Sequence, residues 1–443
     1  MTDHIRRSRI TKALTDASLV SSFPEAEARL DAVSICVVVA GDQSRTAAGQ
    51  AATLTVLATA FKCFGRVNLV LGEDADLLVP QLMGRTLLGA AAYLGATTVT
   101  APPDDTTHAI YVGRGPELEA WGVSCWWDGW LSGLRPEGDH TTGDGRLALA
   151  GVFAGALAVR DVFANIRGKQ GYRLEPLTIS LWAPWSVDAP LQGPAAFDVP
   201  NSFWILGLGH LGQAFIWNLG FLPFKGPRRV ILQDNQRIGP ENEPTSLLVT
   251  SKDIGWKKAR IGERWLEALG WDVDIVERRN FGDVQVQDSD PQMLIAGLDS
   301  LPARRAVAGA GFPYMIDAGI GHGPVDFEGL QVRVIPAGAN LDGLWTKPVA
   351  DDRRAKNLAT EPYEALAQTS GACGVVPLAD ASVSVPFVGA ATGALVLAQA
   401  IRLASLKPAA AVLQMDLNAP HMMMDGGQVP KPEANFGSER ILL

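Results

Sequence analysis

Three glycines at fixed spacing, and a set of charged and amide side chains downstream of them, are the residues of this chain best suited to chemistry. Gly207, Gly209 and Gly212 stand in G-x-G-x-x-G order within "SFWILGLGHLGQAF" (202–215). They follow an apolar run that reads as a strand and open a run that reads as a helix. In that setting the first glycine permits the tight turn, the second lets the backbone approach a phosphate, and the third lets helix and strand pack closely. The helix start then offers free N–H groups and a positive dipole end to an anion. Asp234 closes the next apolar run, where a carboxylate can accept hydrogen bonds from ribose hydroxyls. To this point a nicotinamide dinucleotide and ATP fit equally. The residues that follow separate them. Asn242, Lys257 and Lys258 lie in "DNQRIGPENEPTSLLVTSKDIGWKKAR" (234–260), and Asp299 and Arg304 in "MLIAGLDSLPARRAV" (293–307). A hydride-transfer site needs an apolar slot for a flat ring. A lysine to neutralise a triphosphate, an aspartate to hold Mg2+ and an arginine to steady a separating pyrophosphate suit ATP instead. His210, inside the loop, reads as a space-filler.

The elements that must position these residues occur twice. "VSICVVVAG" (33–41) reads as a buried strand, followed by a turn, a helix to about Phe64 and a second strand, "GRVNLVLG" (65–72). The later half repeats this with "SFWILGLG", a helix to about Phe221 and "RRVILQD" (228–234). The ends of the halves also match: "LALAGVFAGALAVRDVFANIRG" (147–168) resembles "VSVPFVGAATGALVLAQAIRLA" (383–404). Apolar strands alternating with helices predict an α/β fold with parallel sheets covered on both faces. Two copies predict two Rossmann-like domains arising by duplication. The first would span 1–185 and the second 201–443, joined by a linker at 186–200 within the Pro-, Gly- and Ala-rich "WSVDAPLQGPAAFDVP" (185–200). In the first half the turn reads "AGDQSRTAAGQ" (40–50) and the glycine spacing is lost, so that copy is expected to be degenerate.

Bulk properties set the limits. The chain has 443 residues, of which 47% are apolar and 19% charged, the profile of a large buried core. The net charge is −9 with no Lys/Arg block, which argues against a nucleic-acid partner. "HIRRSRITKALTD" (4–16) is basic but is not followed at once by an apolar run, so it does not read as a secretion signal. Apolar runs such as 147–163 are short and interrupted by charge, so no membrane association is expected. Cys36, Cys63, Cys125 and Cys373 are scattered with no CxxC pair, which fits a reducing cytoplasm and no structural zinc. The tryptophan-rich "AWGVSCWWDGWLSGL" (120–134) reads as buried packing, with a hydrophobic docking surface as the alternative.

From about Asn201 to Ala404 the sequence resembles the adenylating domain of the ubiquitin-activating superfamily, the ThiF/MoeB type. The glycine loop matches "GLGHLG", the ribose-binding aspartate matches Asp234, and the phosphate-facing asparagine matches Asn242. The lysine of the family's "D-x-G-x-x-K-A" matches Lys258, and the aspartate and arginine of its "D-x-x-x-x-R" match Asp299, the magnesium ligand, and Arg304. The family's "R-Q" after the asparagine is replaced here by "EPTS" (243–246), so one phosphate contact is missing or comes from elsewhere. The zinc-binding cysteine pairs of many MoeB-type members are absent. Members often pair so that an arginine from "R-Y-S-R-Q" enters the partner's ATP site; "RRSRI" (6–10) resembles that stretch and aligns Arg9 with the inserted arginine. The degenerate first half would then complete the second half's pocket.

The resemblance implies an ATP- and Mg2+-dependent adenylyltransferase. It would act on the C-terminal carboxylate of a small ubiquitin-like protein, then pass the acyl group to Cys373, which lies between a polar crossover segment (339–372) and the Gly/Ala-rich helix. Arg9, Lys258, Asp299 and Cys373 would carry catalysis. Gly207, Gly209, Gly212, Asp234, Asn242, Lys258 and Arg304 would hold the nucleotide. A conjugating carrier enzyme is a further expected partner, and the chain would be a monomeric pseudo-dimer or a homo-oligomer. The fused inactive-plus-active layout looks like the activating component of bacterial ubiquitin-like conjugation operons, the BilD type associated with phage defence. Three other readings stay open: adenylation of a peptide or tRNA-bound carboxylate without a thioester, a nicotinamide oxidoreductase, and a non-catalytic nucleotide-binding scaffold.

Overall fold

The computed structural model describes residues 6–78, 84–169, 171–172, 175–345, 353–370, 372–433 and 437–443. The first half runs α1 (Ser8–Thr15), α2 (Phe23–Asp31), β1 (Ser34–Val39), α3 (Ala47–Cys63), β2 (Arg66–Leu71), α4 (Leu87–Tyr93), β3 (Thr97–Val99), β4 (His108–Val112), β5 (Trp121–Asp128), β6 (Leu131–Arg135), α5 (Ala148–Ile166) and β7 (Leu177–Ser180). The second runs β8 (Ala196–Pro200), β9 (Ser202–Leu206), α6 (His210–Leu219), β10 (Arg229–Gln233), α7 (Lys258–Ala268), β11 (Asp272–Val276), β12 (Met293–Ala296), α8 (Leu301–Ala308), β13 (Tyr314–Ile320) and β14 (Gly329–Pro336). It continues with α9 (Arg353–Leu358), α10 (Glu361–Ser370), α11 (Ala372–Asp380), α12 (Pro386–Ala404), β15 (Ala409–Ala410), β16 (Val412–Asp416), β17 (Met424–Asp425), β18 (Gln428–Val429) and β19 (Ser438–Leu442).

The two halves share one plan. The first sheet has the order β3-β2-β1-β4-β5-β6-β7 and the second β11-β10-β9-β12-β13-β14-β16-β17. In each, the first five strands run parallel and the rest antiparallel. The apolar, β-branched "SICVVV" of β1 is buried at every residue, as a central parallel strand requires. The strand order matches across the halves, which bears out the α/β reading of two Rossmann-type units.

The Gly/Ala-rich helices recognised as similar in the sequence hold equivalent places. Helix α5 falls between β6 and β7, and α12 between β14 and β16. Small residues let them lie close to their neighbours. A Cβ on Gly151 would stand 2.0 Å from the Ala48 carbonyl of α3, and one on Gly393 would stand 2.4 Å from Asn218 Nδ2 of α6. Helices α5 and α12 also pack on each other across the halves, where Phe163 meets Phe387 with ring centroids 5.6 Å apart. Both are long and apolar enough to cross a membrane by length and composition, yet their apolar windows are 94% and 100% buried inside the fold.

Two sequence expectations change in detail. The 186–200 stretch is a linker only in part. From Ala196 it forms β8, which pairs antiparallel with the last strand, β19, because Phe197 and Val199 alternate inward. Nor does the amino-terminal segment belong to its own half alone. Lys12 of α1 meets Tyr363 of α10 at 2.5 Å and Asp16 at 2.7 Å, and Phe23 stacks edge-on against Tyr363. The polar crossover segment is largely helical, forming α9, α10 and the start of α11; residues 346–352 and 371 lie outside the described residues. The tryptophan-rich stretch forms β5 and β6, with Trp127 and Trp130 buried.

Candidate active site

The second sheet reverses its strand order at β9, whose neighbours are β10 and β12. A crevice therefore opens beyond the carboxyl ends of β9 and β12, the place where open α/β sheets bind ligands. Here it is a cavity of about 780 Å³ lined by Arg9, Gly207, Gly209, Asp234, Asn242, Lys258, Asp299 and Arg304, among others. Residues far apart in sequence thus meet in one hollow, and Arg9 reaches it from the first half.

The glycine loop shows what each glycine is for. Gly207 has φ +83°, a conformation that L side chains rarely adopt. A Cβ on Gly212 would stand 2.0 Å from the Gly207 carbonyl, so the third glycine serves close packing and does not line the cavity. A Cβ on Gly209 would meet only Lys258 Nζ, at 3.9 Å. The second glycine therefore faces open space with a lysine above it. Gly209 is also the N-cap of α6 and caps it with no side-chain bond, which leaves the first amide donors of the helix uncapped at the cavity.

Asp234 braces this loop. One carboxylate oxygen accepts the Leu208 N–H at 2.7 Å and the other the Gln236 N–H at 2.6 Å. Each oxygen retains capacity for a further donor such as a ribose hydroxyl. Asn242 is buried, and its Oδ1 accepts the Gly239 N–H at 2.9 Å, closing the short turn Pro240–Asn242. Lys258 opens α7 and donates to Gln236 Oε1 at 2.7 Å. Burial holds its pKa below the usual lysine range, against the opposing pull of Asp234 and Glu241. Arg9 is likewise lowered by burial, with Glu241 and Asp299 acting the other way. Its Nε is buried without a partner. Lys257 points elsewhere and donates to the Asn235 carbonyl at 2.8 Å.

Arg304 departs from the sequence expectation that its guanidinium serves a pyrophosphate. Its Nε donates to the Leu298 carbonyl at 2.8 Å, Nη1 to Asp317 at 2.9 Å, and Nη2 to the carbonyls of Leu298 and, at 3.2 Å, Ala318. Four of its five N–H donors are thus engaged within the protein, on the loop that carries Asp299 and on β13. Asp317 also accepts Trp345 Nε1 at 3.0 Å. Arg304 thus forms part of the wall and fixes the Asp299 loop.

His210 behaves as packing. Its Nδ1 meets Ser384 Oγ at 2.5 Å, its Nε2 is buried without a partner, and burial pushes its pKa down to about 4. The sequence reading missed Glu241, Gln236, Asn280, His322 and Ser384. Glu241 had a local signal, since it directly precedes Asn242. The others come together only through folding.

Cys373 lies in α11, but its side chain is outside the described residues. The thiols that are described are buried: Cys36 is pushed up to about 11, and Cys63 and Cys125 to about 12, all chiefly by burial.

The equivalent crevice of the first half is filled. Gln43 is 6% exposed, and its Cγ stands 2.6 Å from where a Cβ on Gly113 would be, at the end of β4. Arg45 pairs with Glu73 just beyond β2.

Does the open cavity suit ATP and magnesium? The open backbone at Gly209, the uncapped helix start, and the cationic Lys258 and Arg9 fit a polyphosphate. Among the described residues no group of three or more His, Cys, Asp or Glu is placed to hold a metal by itself. Asp299 fits Mg2+ only as one carboxylate sharing the ion with phosphate oxygens, which is how Mg2+ is usually held beside nucleotides.

Fold and site together define a double Rossmann-type protein with one open and one filled crevice. Residues 34–180 match the family model described as BilD N-terminal domain, and residues 199–406 that of BilD C-terminal domain. A curated relative from Collimonas sp. (strain OK412), "Bacterial E1-like protein BilD", is 33% identical over 417 residues, covering 90% of this chain and 89% of its own. The chain belongs to the BilD family of bacterial E1-like proteins. Among solved structures it is similar to E. coli MccB with ATP (14% identity, TM-score 0.33, covering 54% of this chain and 66% of that one). It is similar also to MccB with MccA-N7isoASN (14%, 0.35, 53% and 66%). The chain thus spans just under two thirds of the MccB chains.

Proposed function

We propose that this chain binds Mg·ATP in the second half and adenylates the C-terminal carboxylate of a small ubiquitin-like protein. One observation carries the reading. The glycine loop, Asp234, Asn242, Lys258, Asp299 and a cross-domain arginine, Arg9, converge on a single cavity at the switch point of the sheet. Family membership and the relative's E1-like description support it.

In this reading Gly209 and the start of α6 receive the phosphates, and Asp234 receives the ribose. Lys258 and Arg9 neutralise phosphate charge from two sides. Asp299 would hold Mg2+, which would supply further charge neutralisation. Arg304 keeps the Asp299 loop in place. A carboxylate oxygen of the partner's tail bonds to the α-phosphorus and pyrophosphate departs. The chain's own contribution is orientation and fixed charge. The Cys373 sulfur then bonds the acyl carbon as AMP leaves, giving a thioester for a carrier enzyme. The first half works as a pseudo-subunit that delivers Arg9. In this reading the domains would be 1–185 and 201–443, with β8 (Ala196–Pro200) of the intervening stretch joined to the second through β19, and the cytoplasm would be the setting in which this chemistry runs.

The test is pyrophosphate exchange into ATP with a small ubiquitin-like protein ending in glycine. Exchange that depends on that tail, and that Asp299→Ala reduces at least about a hundredfold, is expected. Exchange that ignores the tail or survives Asp299→Ala would overturn the reading. A reducible adduct formed by the parent but not by Cys373→Ala reports the thioester. Tail-dependent exchange with no such adduct would favour adenylation alone.

A further inference from the structure

Residues 243–249 of the second half form no helix or strand, yet they follow Asn242 directly and contribute Thr245 to the cavity wall. This is the stretch in which "EPTS" stands where the wider superfamily carries Arg-Gln. Buried backbone carbonyls in such a segment need donors from elsewhere. Part of the answer is local. Thr245 Oγ1 donates to the Glu241 carbonyl at 3.1 Å, and the Ser246 N–H to the Asn242 carbonyl at 2.9 Å. A second tie comes from beneath the glycine loop, where Gln213 Oε1 of α6 accepts the Leu248 N–H at 3.1 Å.

The third tie crosses between the halves. Lys62, near the end of α3, is 9% exposed. Its Nζ donates to the Glu243 carbonyl at 2.5 Å and to the Val249 carbonyl at 2.8 Å. One ammonium therefore pins both ends of the loop. We infer that Lys62 is a positioning residue, through which the first half fixes the second half's 243–249 loop and with it the nucleotide-facing Asn242 and Thr245. The ammonium is buried, and burial pushes its pKa down to about 8 against the opposing charge of Glu243. Such a group is costly to bury unless its bonds repay the desolvation, and carbonyl–ammonium bonds are among the stronger kind. The degenerate half thereby has two functions at this site: it supplies Arg9 to the cavity and it shapes the loop that carries Thr245.

The link to ATP rests on the proposed function, whereas the clamp itself does not. The test uses the full chain with Lys62→Met and Lys62→Arg, and a control at the same joint, Thr55→Ala, which removes the 3.1 Å bond from Trp217 Nε1 without touching the loop. Amide hydrogen exchange of the 241–250 segment and Mg·ATP affinity are both measured. Lys62→Met is expected to speed exchange in that segment, and to weaken Mg·ATP binding, by about tenfold each, the effect of one or two lost charged hydrogen bonds. Lys62→Arg, which keeps charge and donors, should recover most of both, and Thr55→Ala should lower the melting temperature without either change. Unchanged exchange at 241–250 in Lys62→Met would overturn the inference. So would equal effects in Thr55→Ala. If the parent chain itself does not bind Mg·ATP, the proposed function falls, while the exchange comparison still decides the clamp.

Discussion

Gly209 and Gly212 sit three residues apart in one loop and answer to different constraints. Gly212 has no room for a methyl group against the Gly207 carbonyl, whereas Gly209 has room for one but leaves it facing the cavity. Gly212→Ala should therefore cost about 1–3 kcal/mol or more in stability, read as a lower melting temperature. Gly209→Ala should keep the parent's melting temperature and lose nucleotide affinity. The opposite pattern would show that the cavity is not where ligand meets backbone. His210 offers a test by pH. Burial first, and the charge of Arg9 second, hold it down to about 4. In the unfolded chain it takes up a proton nearer the ordinary ~6.5. Between those values the unfolded state binds more protons, so this contribution to stability is complete above the window and is lost as pH falls through it. His210→Gln should accordingly lose less thermal stability than the parent between about pH 7 and about pH 5; equal losses would count against a buried, neutral histidine. The glycine spacing and Asp234 were legible because their neighbours are close in sequence. The engagement of Arg304 was not, since its partners Leu298, Asp317 and Ala318 are set by where β13 lies.

At the scale of elements, α1 links two features that the sequence keeps apart. Its start carries Arg9 to the cavity, and Lys12, with Asp16 just beyond its end, holds the Tyr363 hydroxyl of α10 at 2.5 and 2.7 Å. Tyr363→Phe removes that hydroxyl from between two charged groups and should cost about 1.5–3 kcal/mol. It should also make the 353–380 helices more susceptible to limited proteolysis. Unaltered cleavage there would mean that α1 does not hold them. The repeated strand order was legible because a buried parallel strand writes itself as an apolar run and a strand–turn–helix unit is local. The reach of Arg9 into the second half's pocket was expected from its motif, but the hold of α1 on α10 was not legible, because α10 lies some 350 residues downstream and nothing near Lys12 announces it. The same holds for β8, read as linker until its partner β19 is seen.

Taken whole, the molecule is a pair of like units joined by buried contacts, with the open cavity described above in the second. At the joint Arg160 donates to Glu328 at 2.9 Å and to Asp161 at 2.9 Å, and all three are almost fully buried. Arg160→Met leaves the buried Asp161 without its counter-charge and Glu328 with only its longer pairs to Lys169 at 3.4 Å and Arg167 at 3.7 Å, and should destabilise the chain by about 3–5 kcal/mol, seen as a large drop in melting temperature. A drop no larger than that of a surface arginine, such as Arg66→Met, would show that the halves are held chiefly by α5 and α12. The duplication could be read from sequence, but its asymmetry only in outline. Loss of glycine spacing marked the first crevice as altered, and the structure adds that Gln43 fills it and Arg45–Glu73 flanks it. The central claim is that the remaining crevice takes Mg·ATP with help from the first half. Equilibrium titration of the full chain with Mg·ATP and, separately, with NADH tests this most directly. The account predicts saturable binding of Mg·ATP, weakened at least about tenfold by Arg9→Ala, and none of NADH. Binding of NADH in place of Mg·ATP, or Mg·ATP binding that Arg9→Ala leaves untouched, would contradict it.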